Sequence, residues 1–371
     1  MRKEKQIIAH FLSLAGVAIN GKNSWDIQVH NENLYRRIIS QGSLGLGEAY
    51  MDGWWDCQKL DEFFFRVLRA DLQEKVQFNW TTIKIYLTSK FLNLQTKKGS
   101  KKVAEQHYNL STKLYMSFLD AYNQYTCGYF KNTDDLNTAQ EQKLQLICSK
   151  LQLKKEDRVL DIGCGWGGFA KFASEHYGCH ITGVTISKEQ AAYAREFTKG
   201  LPVTIKEIDY RNIEDEYDKV LICGMIEHVG YKNYRALLKI VNKVLEKNGL
   251  FLLHTIGNNT SVIFTDVWIG KYIFPNGMLP SLKQITTAAE GLFILEDLHN
   301  FGQYYDPTLM SWFANFDKNW TVIAKDYGER FYRMWKYYLL SCAGMFRARD
   351  AQLWQFVFSK RGILGEYYPV R

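Results

Sequence analysis

Apolar residues recur along this chain with two periods, and the pattern changes near residue 105. Leu60, Phe63, Phe64, Val67 and Leu68 stand at i, i+3, i+4, i+7 and i+8, the stripe of an amphipathic helix. Up to about Leu94 the text reads as short helices joined by glycine-rich turns such as "SQGSLGLGEAYMDG". Packing inside a small helical domain accounts for the stripe, with direct lipid contact as the other reading. Beyond Glu105, short apolar runs alternate with helical stretches. Ala139 to Leu151 reads as a helix with Leu144, Ile147, Cys148 and Leu151 on one face, and "RVLDI" follows as a buried strand. "CHITGV" precedes a helix opening at Ser187, and "VTIKEID" precedes a turn. "DKVLICG" precedes a helix with Tyr234, Leu237, Leu238, Val241, Val244 and Leu245 aligned, for which Gly249 after Asn248 supplies an expected stop. "LFLLHT" comes next, then irregular text until "LFILED". Aromatic helical text runs from Tyr304 to Tyr338, and "LWQFVF" is the last strand. This alternation predicts an open, mostly parallel α/β sheet that binds ligands at the carboxyl ends of its strands. The expected division is a small helical domain over 1–94, a linker over 95–104 and the α/β domain over 105–371.

Composition narrows the class. The chain has 371 residues, 46% of them hydrophobic and 15% aromatic, enough to fill real cores. A formal charge of +8 is unevenly spread, and its densest patch is "TKKGSKK", Thr96 to Lys102, which reads either as a solvated linker or as a patch for an anionic surface. No nucleic-acid module accompanies it. Seven cysteines without a CxxC pair suggest neither a disulfide framework nor a zinc knuckle, hence a reducing, cytoplasmic setting and no metal. The N-terminus lacks the pattern of a signal peptide, and no apolar run reaches the roughly eighteen residues needed to span a bilayer.

"VLDIGCGWGGFA" is a strand ending in an acid, then a glycine-rich turn into a helix, where a ligand can approach bare backbone. Gly163, Gly165 and Gly168 match a dinucleotide fingerprint by letter. A Walker loop is excluded, because no Gly-Lys-Ser/Thr ending follows. Asp161, Gly163, Gly165 and Gly167 fit the D-x-G-x-G-x-G loop of S-adenosylmethionine methyltransferases, and Asp209 in "EIDYRNI" ends the third strand, where such enzymes meet adenine. After the second strand such enzymes usually carry an acid for the ribose hydroxyls, whereas Thr185 stands here. Ser187 and Gln190 spell a capping box, so they are either helix caps or ribose-side groups.

The motifs "VLDIGCGWGG", "GVTISKEQ", "DYR", "MIEHVG", "LLHTIG", "KYIFPNGMLPS" and "HNFGQYYDPTLMSW" lie in one order from about His107 onward. Together they resemble the bacterial cyclopropane-fatty-acid-phospholipid synthases, in which Thr185 is the expected residue at its place. The resemblance implies a Rossmann-like class I S-adenosylmethionine-dependent methyltransferase sheet with a helical cap, plus a small, mainly helical N-terminal domain that meets lipid. It implies methylene transfer to a cis double bond of an unsaturated phospholipid acyl chain, through a carbocation deprotonated by bound bicarbonate. Carried over motif by motif, the bicarbonate ligands would be Cys127 of "YTCGYF", Glu227, His254, the backbone of Ile256, and Tyr305. The cofactor would meet Tyr125, Thr126, Asp161, Gly163, Gly165, Thr185, Gln190, Asp209 and Tyr210. A peripheral position on the inner face of the membrane and a homodimer are also in keeping with the family. Apart from the resemblance, a lone cysteine among aromatic residues is most often core filler. A nucleophilic role lacks a neighbouring base to lower its pKa, and zinc lacks a close ligand pair. The competing functions are an S-adenosylmethionine methyltransferase acting on an amine or another small molecule, and a non-catalytic binder of anionic surfaces.

Overall fold

The computed structural model describes residues 2–70 and 111–371. In chain order the helices are α1 (Arg2–Leu14), α2 (Asn33–Gln41), α3 (Ser43–Met51), α4 (Leu60–Arg69), α5 (Thr112–Met116), α6 (Leu136–Lys150), α7 (Gly168–Tyr177), α8 (Lys188–Phe197), α9 (Tyr231–Val244), α10 (Val267–Tyr272), α11 (Leu282–Ala289) and α12 (Tyr305–Arg347). The strands are β1 (Gln28–Val29), β2 (Trp55–Asp56), β3 (Arg158–Ile162), β4 (His180–Thr185), β5 (Val203–Glu207), β6 (Tyr217–Cys223), β7 (Leu245–Asn258), β8 (Ile294–Asn300) and β9 (Ala351–Ser359). They fall into two compact units.

The first unit gathers α1 to α4 with Phe264–Pro275 and Tyr305–Ala351, so it draws on three separate stretches of chain. The stripe expected at Leu60–Leu68 does form a helix, and its Leu60 and Phe63 are buried. Trp55, Phe63, Tyr50, Tyr337 and Trp268 pack ring against ring at centroid separations of 4.6–5.5 Å. Arg347 ties α12 to α4, reaching Asp306 at 2.8 Å and Asp61 at 2.8 Å. Helix α12 breaks at Gly328, whose φ of 73° is not helical. The expected boundary between 94 and 105 and the basic run Thr96–Lys102 lie outside the described residues.

The second unit is built on a seven-stranded sheet in the order β5-β4-β3-β6-β7-β9-β8. The first five run parallel, and β8 pairs antiparallel with β9. Side chains alternate across it: Leu160, Ile162, Val220 and Ile222 join one apolar layer, whereas Val159 and Leu221 join the layer on the other face. Two-sided burial is why these strands read as continuous apolar runs. Connections leave β3 toward β4 and β5, then return to β6 on its other side. The strand order therefore reverses between β3 and β6, and in open α/β sheets ligands bind at that crevice.

Gly249 does not end the helix before it. Helix α9 stops at Val244 because Leu245 is already extended (φ −82°, ψ 130°) and pairs with Tyr217 of β6, so β7 runs on through Asn248 and Gly249. Ladder pairing with β6 overrides the local turn signal.

Candidate functional site: a glycine loop, a strap and orphaned polar atoms

Strand β3 delivers Asp161 to the switch point, and its carboxyl, buried beside Lys143, is pushed up to about 7 by burial while the lysine draws it down. The loop after it turns through positive φ at Gly163 (85°), Gly165 (54°) and Gly167 (83°). Nothing lies within 4 Å of where a Gly165 Cβ would stand, so bare backbone there faces open space.

Residues Asp120 to Cys127 form a strap across this loop. Its first half wraps the Asp120 carboxylate, which accepts from the N–H groups of Tyr122 (2.8 Å) and Gln124 (2.7 Å). The strap presses so closely on α7 that a Cβ on Gly168 would stand 1.8 Å from the Tyr122 carbonyl oxygen. Tyr125 sits edge-on to Tyr115 at 5.2 Å, and Tyr115 packs on Trp166 of the loop at 4.6 Å. Thr126 is held from two directions. Its carbonyl accepts from Gln140 Nε2 (2.8 Å), its hydroxyl takes a bond from Lys143 Nζ (2.9 Å), and Cys223 Sγ at the end of β6 lies 3.8 Å from that hydroxyl. Cys127 follows directly and is fully buried, its Sγ 3.2 Å from the Gly128 carbonyl.

At the end of β4, Thr185 and Gln190 join side chain to side chain at 3.0 Å, both buried. Ser187 caps α8 by accepting from Gln190 N–H, yet the Gln190 side chain turns to Thr185 rather than back to Ser187. Half of the expected capping box therefore forms. Asp209 caps the short turn Tyr210–Asn212 and pairs with Arg211 at 2.9 Å, while the buried Tyr210 hydroxyl has no partner.

The carboxyl ends of β6 and β7 bring the acid and the imidazole together. In register, Cys223 on β6 faces His254 on β7, and Glu227 lies on the short turn after β6. Glu227 Oε1 accepts from the Ile256 N–H at 2.8 Å, so that backbone group, expected to face an anion, instead fixes the carboxyl. Its second oxygen, Oε2, is buried without a partner, and burial pushes this carboxyl up to about 7. His254 Nδ1 lies 3.2 Å from Gln355 Nε2, and its Nε2 is also buried without a partner. With the Gln355 amide nitrogen turned to the ring, Nδ1 accepts and the ring proton sits on Nε2, while Gln355 Oε1 is left buried without a partner. Burial also drives the ring pKa well below the ordinary range, so the imidazole is neutral. The site thus presents one unused donor and one unused carboxyl oxygen.

Glu227, His254 and Ile256 therefore share one edge of the sheet with the glycine loop, and Cys127 follows Thr126, whose hydroxyl lies 3.8 Å from Cys223 on that edge. Tyr305 opens α12 in the other unit, where it packs on Phe346 (4.4 Å) and Trp312 (6.1 Å). Among the described residues, no three His, Cys, Asp or Glu side chains gather as a metal site. Two contributors were not picked out from the sequence. Gln355 is the polar residue at the centre of "LWQFVF", and Lys143 is a charge on the face of α6 that also carries Ala139, Leu144 and Ile147. In both cases a polar letter inside an apolar stripe was the available signal.

Comparison with known proteins agrees with this fold. Residues 95–356 match the family described as mycolic acid cyclopropane synthetase. The cyclopropane-fatty-acyl-phospholipid synthase of Escherichia coli (strain K12) is 49% identical over 355 residues, covering 96% of this chain and 93% of that one. The cyclopropane synthase MmaA2 from Mycobacterium tuberculosis superposes with a TM-score of 0.67 at 26% identity, over 72% of this chain and all of that one. A mycolic acid cyclopropane synthase, CmaA1, complexed with SAH and CTAB, gives 0.66 at 29% identity, over 70% of this chain and 98% of that one. With the family match spanning most of its length, the chain belongs to the mycolic acid cyclopropane synthetase family.

Proposed function

We propose that the protein transfers the methylene unit of S-adenosylmethionine to the cis double bond of unsaturated phospholipid acyl chains, closing a cyclopropane ring, with bicarbonate as the resident base. The reaction class follows from family membership and from the name of the Escherichia coli relative, and the CmaA1 complex supports the cofactor. The observation that carries the choice of base is the pair of orphaned atoms, Glu227 Oε2 and His254 Nε2. One is a carboxyl oxygen and the other a donor, which suits a small anion that carries both an O–H and acceptor oxygens. When bound, bicarbonate supplies a weak base, and a carbocation needs no stronger one.

An unactivated alkene is a weak nucleophile, so alignment of the sulfonium methyl with the double bond has to provide much of the rate enhancement. The residues suited to this are the bare backbone of Gly163 and Gly165 for the methionine end, with Tyr125 and Thr126 of the strap beside it. Thr185 with Gln190 would take the ribose side, and Asp209 with Tyr210 the adenine side. Asp161, at the root of the loop, would orient it. Glu227 Oε2 would accept a hydrogen bond from the anion's O–H, His254 Nε2–H and the Cys127 thiol would donate to it, and the Ile256 N–H holds Glu227 in place. Tyr305 would complete this ligand set. Water must be excluded, since hydration of the cation would give a methylated alcohol. The protein would meet its lipid as a peripheral protein on the inner face of the membrane. Among the described residues no helix is long and apolar enough to cross a bilayer.

Mass spectrometry of acyl chains tests this, after incubation with unsaturated vesicles and S-adenosylmethionine, with bicarbonate present and then stripped. Addition of one CH2 with no loss of unsaturation equivalents, slowed by bicarbonate removal, is the expected result. Unmodified lipid from a protein that still binds the cofactor would refute the reading, and an unchanged rate without bicarbonate would remove the base.

A further inference from the structure

Two lysines of α6 are wholly buried, and they differ in one respect. Lys150 has a carboxylate, Asp297, at 3.2 Å, as a buried lysine ordinarily does. Lys143 has no carboxylate in ion-pair contact: among the described residues its Nζ bonds only neutral oxygens, Gln124 Oε1 and Thr126 Oγ1, although Asp161 and Asp120 act on it from further away. An unpaired ammonium in a dry interior is costly, and Met would fill the same volume without that cost. The position must therefore gain from the charge something a neutral side chain cannot give. Both bonds go to the strap, one on each side of Tyr125. Burial lowers the affinity of Lys143 for its proton, while Cys223, Asp120, Cys127 and Asp161 act in the opposite sense. Those four groups are the strap and the ends of β3 and β6.

We infer that Lys143 is a positioning residue for the reaction: its ammonium fixes the Gln124–Cys127 strap over the glycine loop and gives the pocket at Cys127, Glu227 and His254 the positive potential that a bound anion requires. The second half of this statement rests on the anion reading above. The first half stands on the two hydrogen bonds alone.

Four proteins decide it: the parent, Lys143→Met, Thr126→Val, and the double variant. Three quantities are read for each, namely S-adenosylhomocysteine affinity by calorimetry, the rise in Tm from sodium bicarbonate over equimolar sodium chloride, and turnover across a bicarbonate series. Lys143→Met should lose the bicarbonate-specific rise in Tm and need at least about tenfold more bicarbonate for half-maximal turnover, the scale of one desolvated charge contact. Thr126→Val should lower kcat less, and the double variant should be no worse than Lys143→Met, because both act through one contact. A bicarbonate response in Lys143→Met within twofold of the parent would overturn the electrostatic role. Losses that multiply in the double variant would overturn the positioning role. If bicarbonate leaves the parent's Tm and turnover unchanged, it is the anion pocket that fails, and the coupling between Lys143 and Thr126 then decides the positioning role by itself. If Lys143→Met does not fold, Thr126→Val decides: unchanged kcat refutes the inference, and reduced kcat at unchanged Tm supports it.

Discussion

Gly168→Ala adds one methyl group where the strap crosses the first turn of α7. The new Cβ would stand 1.8 Å from the Tyr122 carbonyl oxygen, 2.3 Å from Gln124 Nε2 and 2.9 Å from the Tyr122 carbonyl carbon. A carbon and an oxygen in ordinary contact keep roughly 3.3 Å apart, so strap and helix must separate by about 1.5 Å. Alanine favours the helix by up to about 1 kcal/mol, whereas forced overpacking costs about 1–3 kcal/mol. The net loss is then at most about 3 kcal/mol, which in a chain of this length is a fall in Tm of no more than about 4 °C. Catalysis should suffer far more. The displaced strap carries Tyr125, Thr126 and Cys127, and misplacement by about 1 Å can cost about a hundredfold in rate. Thermal unfolding, S-adenosylhomocysteine calorimetry and lipid turnover on the same preparation measure the three consequences. A Gly168→Ala protein with parental turnover would show that the strap does not set the geometry of the reaction.

Burial holds the carboxyls of Glu227 and Asp161 each up to about 7, so the folded state binds these protons more tightly than the unfolded chain does. Their contribution to stability is complete at acid pH and is lost as the pH rises through about 7. Glu227→Gln removes one of the two, and should flatten the decline in unfolding free energy between pH 5 and 8 by up to about 3 kcal/mol, as read by urea titration at each pH. An identical slope in the variant would contradict the assignment. Gln355→Leu frees the His254 tautomer and should lower turnover by about 10- to 100-fold with little change in S-adenosylhomocysteine affinity. Unaltered turnover would leave the ring orientation to other groups. With a formal charge of +8, the protein should float with anionic vesicles at about 0.1 M salt and detach substantially near 1 M, where screening is nearly complete. Binding that ignores salt would make the attachment apolar.

Much of the sheet was legible because each central strand is buried on both faces and so reads as a short apolar run bounded by turn residues. The glycine loop was legible for the same kind of reason, since its spacing is dictated by one turn. Leu245 to Asn258 was misjudged at its start, as the pairing of Leu245 with Tyr217 is a contact between residues 28 positions apart and leaves no trace in the local text. The strap was invisible in a different way. What makes it a strap is the approach of Tyr122 to Gly168 and the bonds from Gln140 and Lys143, and each of these is tertiary. The grouping of α10 and α12 with the N-terminal helices is likewise tertiary. It depends on Trp268 meeting Tyr337 and on Arg347 meeting Asp61, and these pairs are scattered over nearly 300 residues of sequence. Glu227 and His254 stand out in the sequence through ordered motifs, whereas their contacts with the Ile256 N–H and with Gln355 are tertiary.

The strand order β7-β9-β8 bears on how the chain matures during synthesis. β8 is made before β9 but lies outside it, so it has no hydrogen-bonding neighbour in the sheet until residues 351–359 have emerged. Until then Ile294 and Leu295, well exposed even in the finished fold, lie on an unpaired edge, where a nascent chain is open to mispairing. The same late strand brings Gln355 to His254. An incomplete chain therefore lacks the Gln355 amide that meets the imidazole, and that contact arrives together with closure of the sheet.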